Sequence, residues 1–215
     1  NLPDKADIKS VPDIKVQHGG SINVIEKDIP QTVISIMQNG IARKDPDYYT
    51  AQVMDFIYGG SGFGSRLTEE VREKRGLVYG IDSGLDMMDH AKLYSVKNES
   101  VAEVLSLVQQ EAHKMRDKPA TEKEVKDAKA YLTGALPLTL TSTDRIAGTV
   151  LSLRTQDLPI DTLDTRNEAI EKVTIADIQR VAQRLLEPDN LTVVLVGKPA
   201  NIKDAKIVTT LPNVE

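Results

Sequence analysis

Arg72 and Tyr79 are the two side chains whose types and spacing invite a chemical reading. They belong to the run Ser65 to Tyr79, SRLTEEVREKRGLVY. The pattern predicts a helix over Arg66 to Lys74, with Gly76 as its C-terminal cap and a strand over Leu77 to Leu85. Gly76 lets the chain reverse, so Arg72 and Tyr79 would project at the same end of a sheet. A guanidinium and a phenol placed there can hold a peptide carbonyl or stabilise an oxyanion. The same residues also fit a plain structural role. In that reading Arg72 answers the helix dipole and Tyr79 packs in a half-buried strand.

Other reactive arrangements fail on spacing or context. The three histidines, His18, His90 and His113, include no pair at i, i+4, and none sits in H-x-x-E-H or H-E-x-x-H. Catalytic zinc needs about three protein ligands, so no metal site is expected in this chain. The glycine run Gly59-Gly60-Ser61-Gly62-Phe63-Gly64 follows a helix and leads into Ser65-Arg66, which is the wrong context for a phosphate loop. It reads as a helix–helix turn needing positive φ, with close approach of another chain as the functional alternative. No G-x-S-x-G elbow surrounds any serine; Phe63 stands where Ser61 would need its final glycine. The carboxylate pairs Glu69-Glu70 and Glu122/Glu124 read as solvated helix faces, and Asp86 and Asp89 as flanks of a strand turn.

The elements that must position Arg72 and Tyr79 follow from periodicity and caps. Ser21 to Lys27 and Thr32 to Gln38 alternate as strands, and the link Asp28 to Gln31 suggests a hairpin. Asp45-Pro46-Asp47 opens a helix running to about Tyr58. Lys92 to Lys97 reads as a strand antiparallel to the one after Gly76. Ser100 with Glu103, and Thr121 with Glu124, make capping boxes before apolar helical stripes. Pro137 should kink or end the second of these helices. Further helices are predicted over Thr143 to Arg154, Ile160 to Lys172 and Thr174 to Leu186, then a strand over Leu191 to Val196. Together they predict an α+β fold: a two-layer sandwich whose mostly antiparallel sheet is covered on one face by helices.

Composition bounds the function further. The chain has 215 residues, 40% hydrophobic and 27% charged, which suits one well-buried core. Residues 1–13 read as a linker or lead-in, 14–199 as a single domain and 200–215 as a C-terminal tail. A net charge of -5 with scattered Lys and Arg argues against nucleic acid as the main partner. With no cysteine, disulfides and thiolate chemistry are excluded. No apolar run reaches the roughly 20 residues of a membrane span. The start at Asn1, without a signal-peptide pattern, reads as a piece of a longer protein. Cellular location is not legible.

One resemblance unites these signals. Gly59-Gly60, Ser65-Arg66-Leu67 and Val71-Arg72-Glu73-Lys74-Arg75-Gly76-Leu77-Val78-Tyr79 resemble the insulinase/pitrilysin family of zinc peptidases, the inverzincins, in its processing-peptidase-like branch. Asp45-Pro46-Asp47-Tyr48-Tyr49 and Val194-Leu195-Val196-Gly197 are similar to that family too, so the likeness spans about Ile14 to Pro199. The resemblance implies a pair of homologous α+β domains. One carries H-x-x-E-H and zinc; the other, which this chain is similar to, closes over it and supplies an Arg and a Tyr near the scissile bond. Those positions match Arg72 and Tyr79. It further implies zinc only on a partner domain or subunit, a peptide substrate, no activity in isolation, and a homo- or heterodimer if the halves are separate chains. An edge strand near Ser21 to Lys27 would pair with an extended peptide. A scaffolding subunit of the same fold, without chemistry, is the alternative.

Overall fold

The structure, a computed structural model, describes residues 11–12, 19–60, 64–88, 91–99, 102–199 and 202–210. Six strands form one sheet: β1 (Ile22–Glu26), β2 (Val33–Asn39), β3 (Ile81–Met87), β4 (Lys92–Glu99), β5 (Thr192–Gly197) and β6 (Ala205–Ile207). Their spatial order is β3-β4-β2-β5-β1-β6. The β3/β4, β4/β2 and β2/β5 pairs are antiparallel, and β5/β1 and β1/β6 are parallel. The α-helices are α1 (Tyr48–Tyr58), α2 (Ala102–Asp117), α3 (Glu122–Thr139), α4 (Thr143–Thr155), α5 (Thr162–Glu171) and α6 (Ile175–Leu185). A π-helical turn, Thr68–Glu73, stands between α1 and β3.

Strand alternation determines the layering. On β2, Ile34, Ile36 and Gln38 are buried while the residues between them are partly exposed, and on β5 Val193 and Leu195 do the same. Val24, Tyr94 and Val96 extend this buried face across the sheet. Against it lie Ala51, Val53 and Met54 of α1, Val104 and Val108 of α2, and Ile178, Val181 and Ala182 of α6. The mixed α/β sandwich is therefore as expected: helices over a six-stranded, largely antiparallel sheet.

β1 and β2 are not a hairpin, because β5 is inserted between them. The link from Lys27 to Thr32 steps across the end of β5, a lateral distance of ~10 Å. Gly197 permits the crossing. A Cβ there would stand 2.7 Å from Thr32 Oγ1 and 2.9 Å from its Cα, and its φ is +141°. Nor is β1 an edge: β6, from the stretch expected as a tail, pairs with its outer side. The edges are β3 and β6, so the peptide-pairing edge expected near Ser21 to Lys27 is corrected.

The helix ends follow their caps. Thr121 with Glu124 and Thr174 with Asp177 both form reciprocal capping boxes. The box expected at Ser100 lies outside the described residues. Asp45 and Asp47 precede α1 without a side-chain cap on it. Their carboxylates instead take Arg184 and Arg180 of α6, with contacts of 2.7 Å each, which locks α6 against the start of α1. Those guanidiniums hold both carboxyls below the usual carboxylate range against the opposing effect of burial. α3 runs two residues past Pro137 before Leu140 caps it, and α4 restarts at Ser142.

Candidate functional site

The residues from Ser65 to Ile81 form a compact platform beside the start of β3. Ser65 is buried, and its hydroxyl donates to Thr68 Oγ1 at 3.0 Å while accepting the Thr68 amide at 3.3 Å. Leu67 and Val71 are completely buried and anchor the turn in the core. The amide of Lys74 reaches Glu69 O at 3.0 Å, five residues back, giving the wide π geometry in place of the α-helix expected here. Gly76, at φ +62°, then reverses the chain: its amide donates to Arg72 O at 2.8 Å, and Leu77 N donates to Val71 O at 3.1 Å. Val78 is buried and pins the return. These closures use up the residues expected to begin the strand, so β3 starts at Ile81 and Tyr79 lies before it.

The reversal brings Arg72 and Tyr79 together. The Arg72 guanidinium carbon lies 5.8 Å from the Tyr79 ring centroid, and its Nε is 3.6 Å from Glu73 Oε1. Tyr79 is 88% exposed, which removes the half-buried strand position as its explanation. The platform beneath is tied down by charge. Glu70 accepts from Lys74 at 2.6 Å and Arg75 at 2.7 Å, and these cations hold its carboxyl at about 2.

Two supports were not legible in the sequence. Glu124, expected on a solvated face, is partly buried and takes a bidentate pair from Arg66 at 2.7 and 3.1 Å. Burial would raise its carboxyl, but the Arg66 and Thr121 donors hold it at about 2. The pair ties the platform to the start of α3. Below the platform, Asp55 of α1 accepts from Ser83 Oγ at 2.6 Å and Tyr94 Oη at 2.9 Å. Burial pushes its carboxyl up to about 6 against those two donors, and Asp82 and Asp86 add repulsion. Asp86 is the penultimate residue of β3, flanking the link to β4 as expected, and accepts from Ser95 Oγ at 2.6 Å; Asp89 lies outside the described residues.

The glycines act here through space and not through handedness. Gly59 has φ -155°, and a Cβ there would stand 2.6 Å from Ser83 Oγ and 2.7 Å from Leu67 Cδ1. At Gly60 a Cβ would meet Phe56 Cα at 2.7 Å. The expected positive φ is therefore not found at either: Gly59 lets the Ser83 and Leu67 side chains reach its backbone, and Gly60 lies against the backbone of the last turn of α1. Residues 61–63 lie outside the described residues. So do His18 and His90. His113 pairs with Asp189 at 3.0 Å. Among the described residues, no three His, Cys, Asp or Glu side chains come close enough to hold a metal ion, and no helix is long and apolar enough to cross a membrane.

Comparison with known proteins places this geometry. Residues 2–132 match the model of the peptidase M16 inactive domain. The crystal structure of a peptidase M16 inactive domain from Pseudomonas fluorescens superposes with a TM-score of 0.81 at 31% identity, covering 93% of this chain and 48% of that one. A protease structure from Helicobacter pylori shares the fold, with a TM-score of 0.81 at 19% identity over 92% of this chain and 49% of that one. Among curated relatives, the non-peptidase homolog YmxG of Helicobacter pylori is 29% identical over 155 residues, 70% of this chain and 36% of its own length. An uncharacterised zinc protease of Streptomyces coelicolor is 29% identical over 179 residues, 80% of this chain and 38% of its own. The chain thus spans under half the length of these relatives. With the matched model covering more than half of the residues, this chain belongs to the peptidase M16 inactive-domain family.

Proposed function

We propose that this chain is the non-zinc half of a zinc metalloendopeptidase, closing over a homologous domain or subunit that carries H-x-x-E-H and helping to hold the peptide. The observation that carries this is the Arg72–Tyr79 pair: two polar side chains 5.8 Å apart, raised on a buried base, with Tyr79 almost fully solvated. An exposed tyrosine above a packed turn has no stability role that its burial could explain. The zinc half supplies the metal-activated water. Arg72 then fixes a substrate carbonyl through its guanidinium, and Tyr79 donates its phenolic proton in a hydrogen bond to the oxyanion as it develops. Relatives named zinc proteases support the reading.

The test mixes the chain with the H-x-x-E-H half of the same parent protein and follows cleavage of a quenched fluorescent peptide. Arg72→Ala and Tyr79→Phe should each lower turnover about a hundredfold, with the melting temperature unchanged. Full turnover in both variants would remove the roles assigned to them. The relative named a non-peptidase homolog favours a second reading, a scaffolding subunit of the same fold. In that case the intact native assembly shows no peptidase activity at all.

A further inference from the structure

At the opposite end of β3 from Tyr79 the surface is hollowed between α4, the turn before α1, and the β3–β4 connection. Two adjoining hollows of about 590 and 290 Å³ share Arg43, Met87 and Gln156, so they form one continuous groove. The charge along it is one-sided. In the larger hollow the charged lining residues are Arg43 and Arg145, with no carboxylate. The smaller adds Lys44, Lys92 and Asp157, and Asp157 is already bound by Lys44 at 2.6 Å. A basic groove is a local reversal in a chain of net charge -5.

The two arginines are presented for use. The Arg43 guanidinium carbon sits over the Tyr48 ring, 3.9 Å from its centroid, and 5.3 Å from that of Tyr49, contacts that hold the cation in place without neutralising its charge. Arg145 is held at the groove wall by the carbonyl of Leu138 at 3.3 Å. Among the described residues, neither has a carboxylate partner. Arg166, half-buried behind Tyr48 and Tyr49, adds positive potential at Arg43. Met87 and Leu153 give the groove apolar walls, and the methionine can adapt to side chains of different shape.

We propose that this groove binds the acidic side chains of a peptide segment, Asp or Glu carboxylates lying against Arg43 and Arg145 with apolar neighbours on Met87 and Leu153. Two cations set along the groove, Arg145 in the larger hollow and Arg43 shared by both, match a run of acidic side chains better than one terminal carboxylate. The proposal rests on the reading of this chain as a peptide-holding half, and names the sequence chemistry it would favour.

Fluorescence anisotropy of labelled, acetylated and amidated peptides on the 215-residue chain tests it. A Glu/Leu peptide should bind about tenfold tighter than its Gln/Leu isostere, and lose affinity as salt rises. Arg145→Gln should weaken the Glu peptide severalfold with the circular dichroism spectrum unchanged, and Arg145→Glu should turn the preference toward a Lys/Leu peptide. Equal binding of the Glu and Gln peptides, insensitivity to Arg145→Glu, or tightest binding by a Gln/Leu peptide with a free C-terminus would each overturn the proposal. Restoring no hydrolysis with the zinc half, while the Glu peptide still binds, would sink the proposed function and leave the groove. Hydrolysis without acidic preference would do the reverse.

Discussion

The two ends of β3 are built in opposite ways. At its start, Arg72 and Tyr79 stand on a turn anchored in the core: Leu67 and Val71 at full burial, Val78 close behind, Asp55 and Ser83 bonded below. At its end the groove is walled by α4, where Leu153 is the one buried residue and Ile146 and Leu151 remain 46% and 63% exposed. The first arrangement fixes the backbone that carries the two side chains, which is what the proposed contact with a reacting bond would require. The second rests on a helix with few buried contacts, a wall better matched to the proposed recognition of side chains than to chemistry. Burial is thus uneven between the two ends of β3, and it is dense under Arg72 and Tyr79.

The contrast can be broken by mutation. Leu67→Ala should cost about 4 kcal/mol, because the site is fully buried and closed by Gly59 and Ser83, and cannot collapse. Thermal unfolding should shift down by roughly 8–16 °C for a domain of this size. A shift of a few degrees would mean that the platform is no more tightly packed than α4.

Next in size is the pH response of Asp55. Its carboxyl is raised to about 6 in the folded state, from 3.8. The raised group favours folding fully below pH 3.8, and that contribution is lost as the pH rises through 6. The loss is at most about 3 kcal/mol. The part of it that falls between pH 4 and 7 should vanish in Asp55→Asn, whose amide oxygen still accepts from Ser83 and Tyr94. Denaturant titrations across that range read the difference directly. Parallel pH curves for both proteins would show that Asp55 is solvated and contributes no support to the platform.

Leu153→Ala should cost about 2 kcal/mol, less than Leu67→Ala, since α4 relaxes around the lost side chain. Comparing the two unfolding midpoints sharpens the contrast. The smallest effect belongs to Leu151→Ser, expected within about 0.5 kcal/mol of wild type because the side chain is already in water. A gain in solubility without a change in midpoint is the expected outcome. A large destabilisation would show that α4 is packed in solution.

Much of the scaffold was legible because it depends on local rules. The capping boxes at Thr121 and Thr174 need only residues three apart, and the stripe Val104, Leu105, Val108, Ala112 and Met115 needs only the helical period. The seven-residue Arg72-to-Tyr79 spacing and Gly76 were likewise readable, and the left-handed φ at Gly76 follows from its type. Strand pairing was not. A hairpin and a step across β5 share the same link from Lys27 to Thr32, and the choice depends on β5, which lies some 160 residues further along the chain.

What the sequence by itself determined is most of the elements (β6 excepted), the caps at Thr121 and Thr174, and the presence of one arginine and one tyrosine on either side of a reversing glycine. Tertiary structure alone decided what stands beneath and beside them. It widened the turn into a π-helix, moved Tyr79 out of the strand into solvent, turned Glu124 from a surface acid into the partner of Arg66, and buried Asp55 under Ser83 and Tyr94. The reason is physical. Caps and periodicity are fixed by neighbours within a turn or two, whereas desolvation and ion pairing depend on which distant segments the core brings into contact.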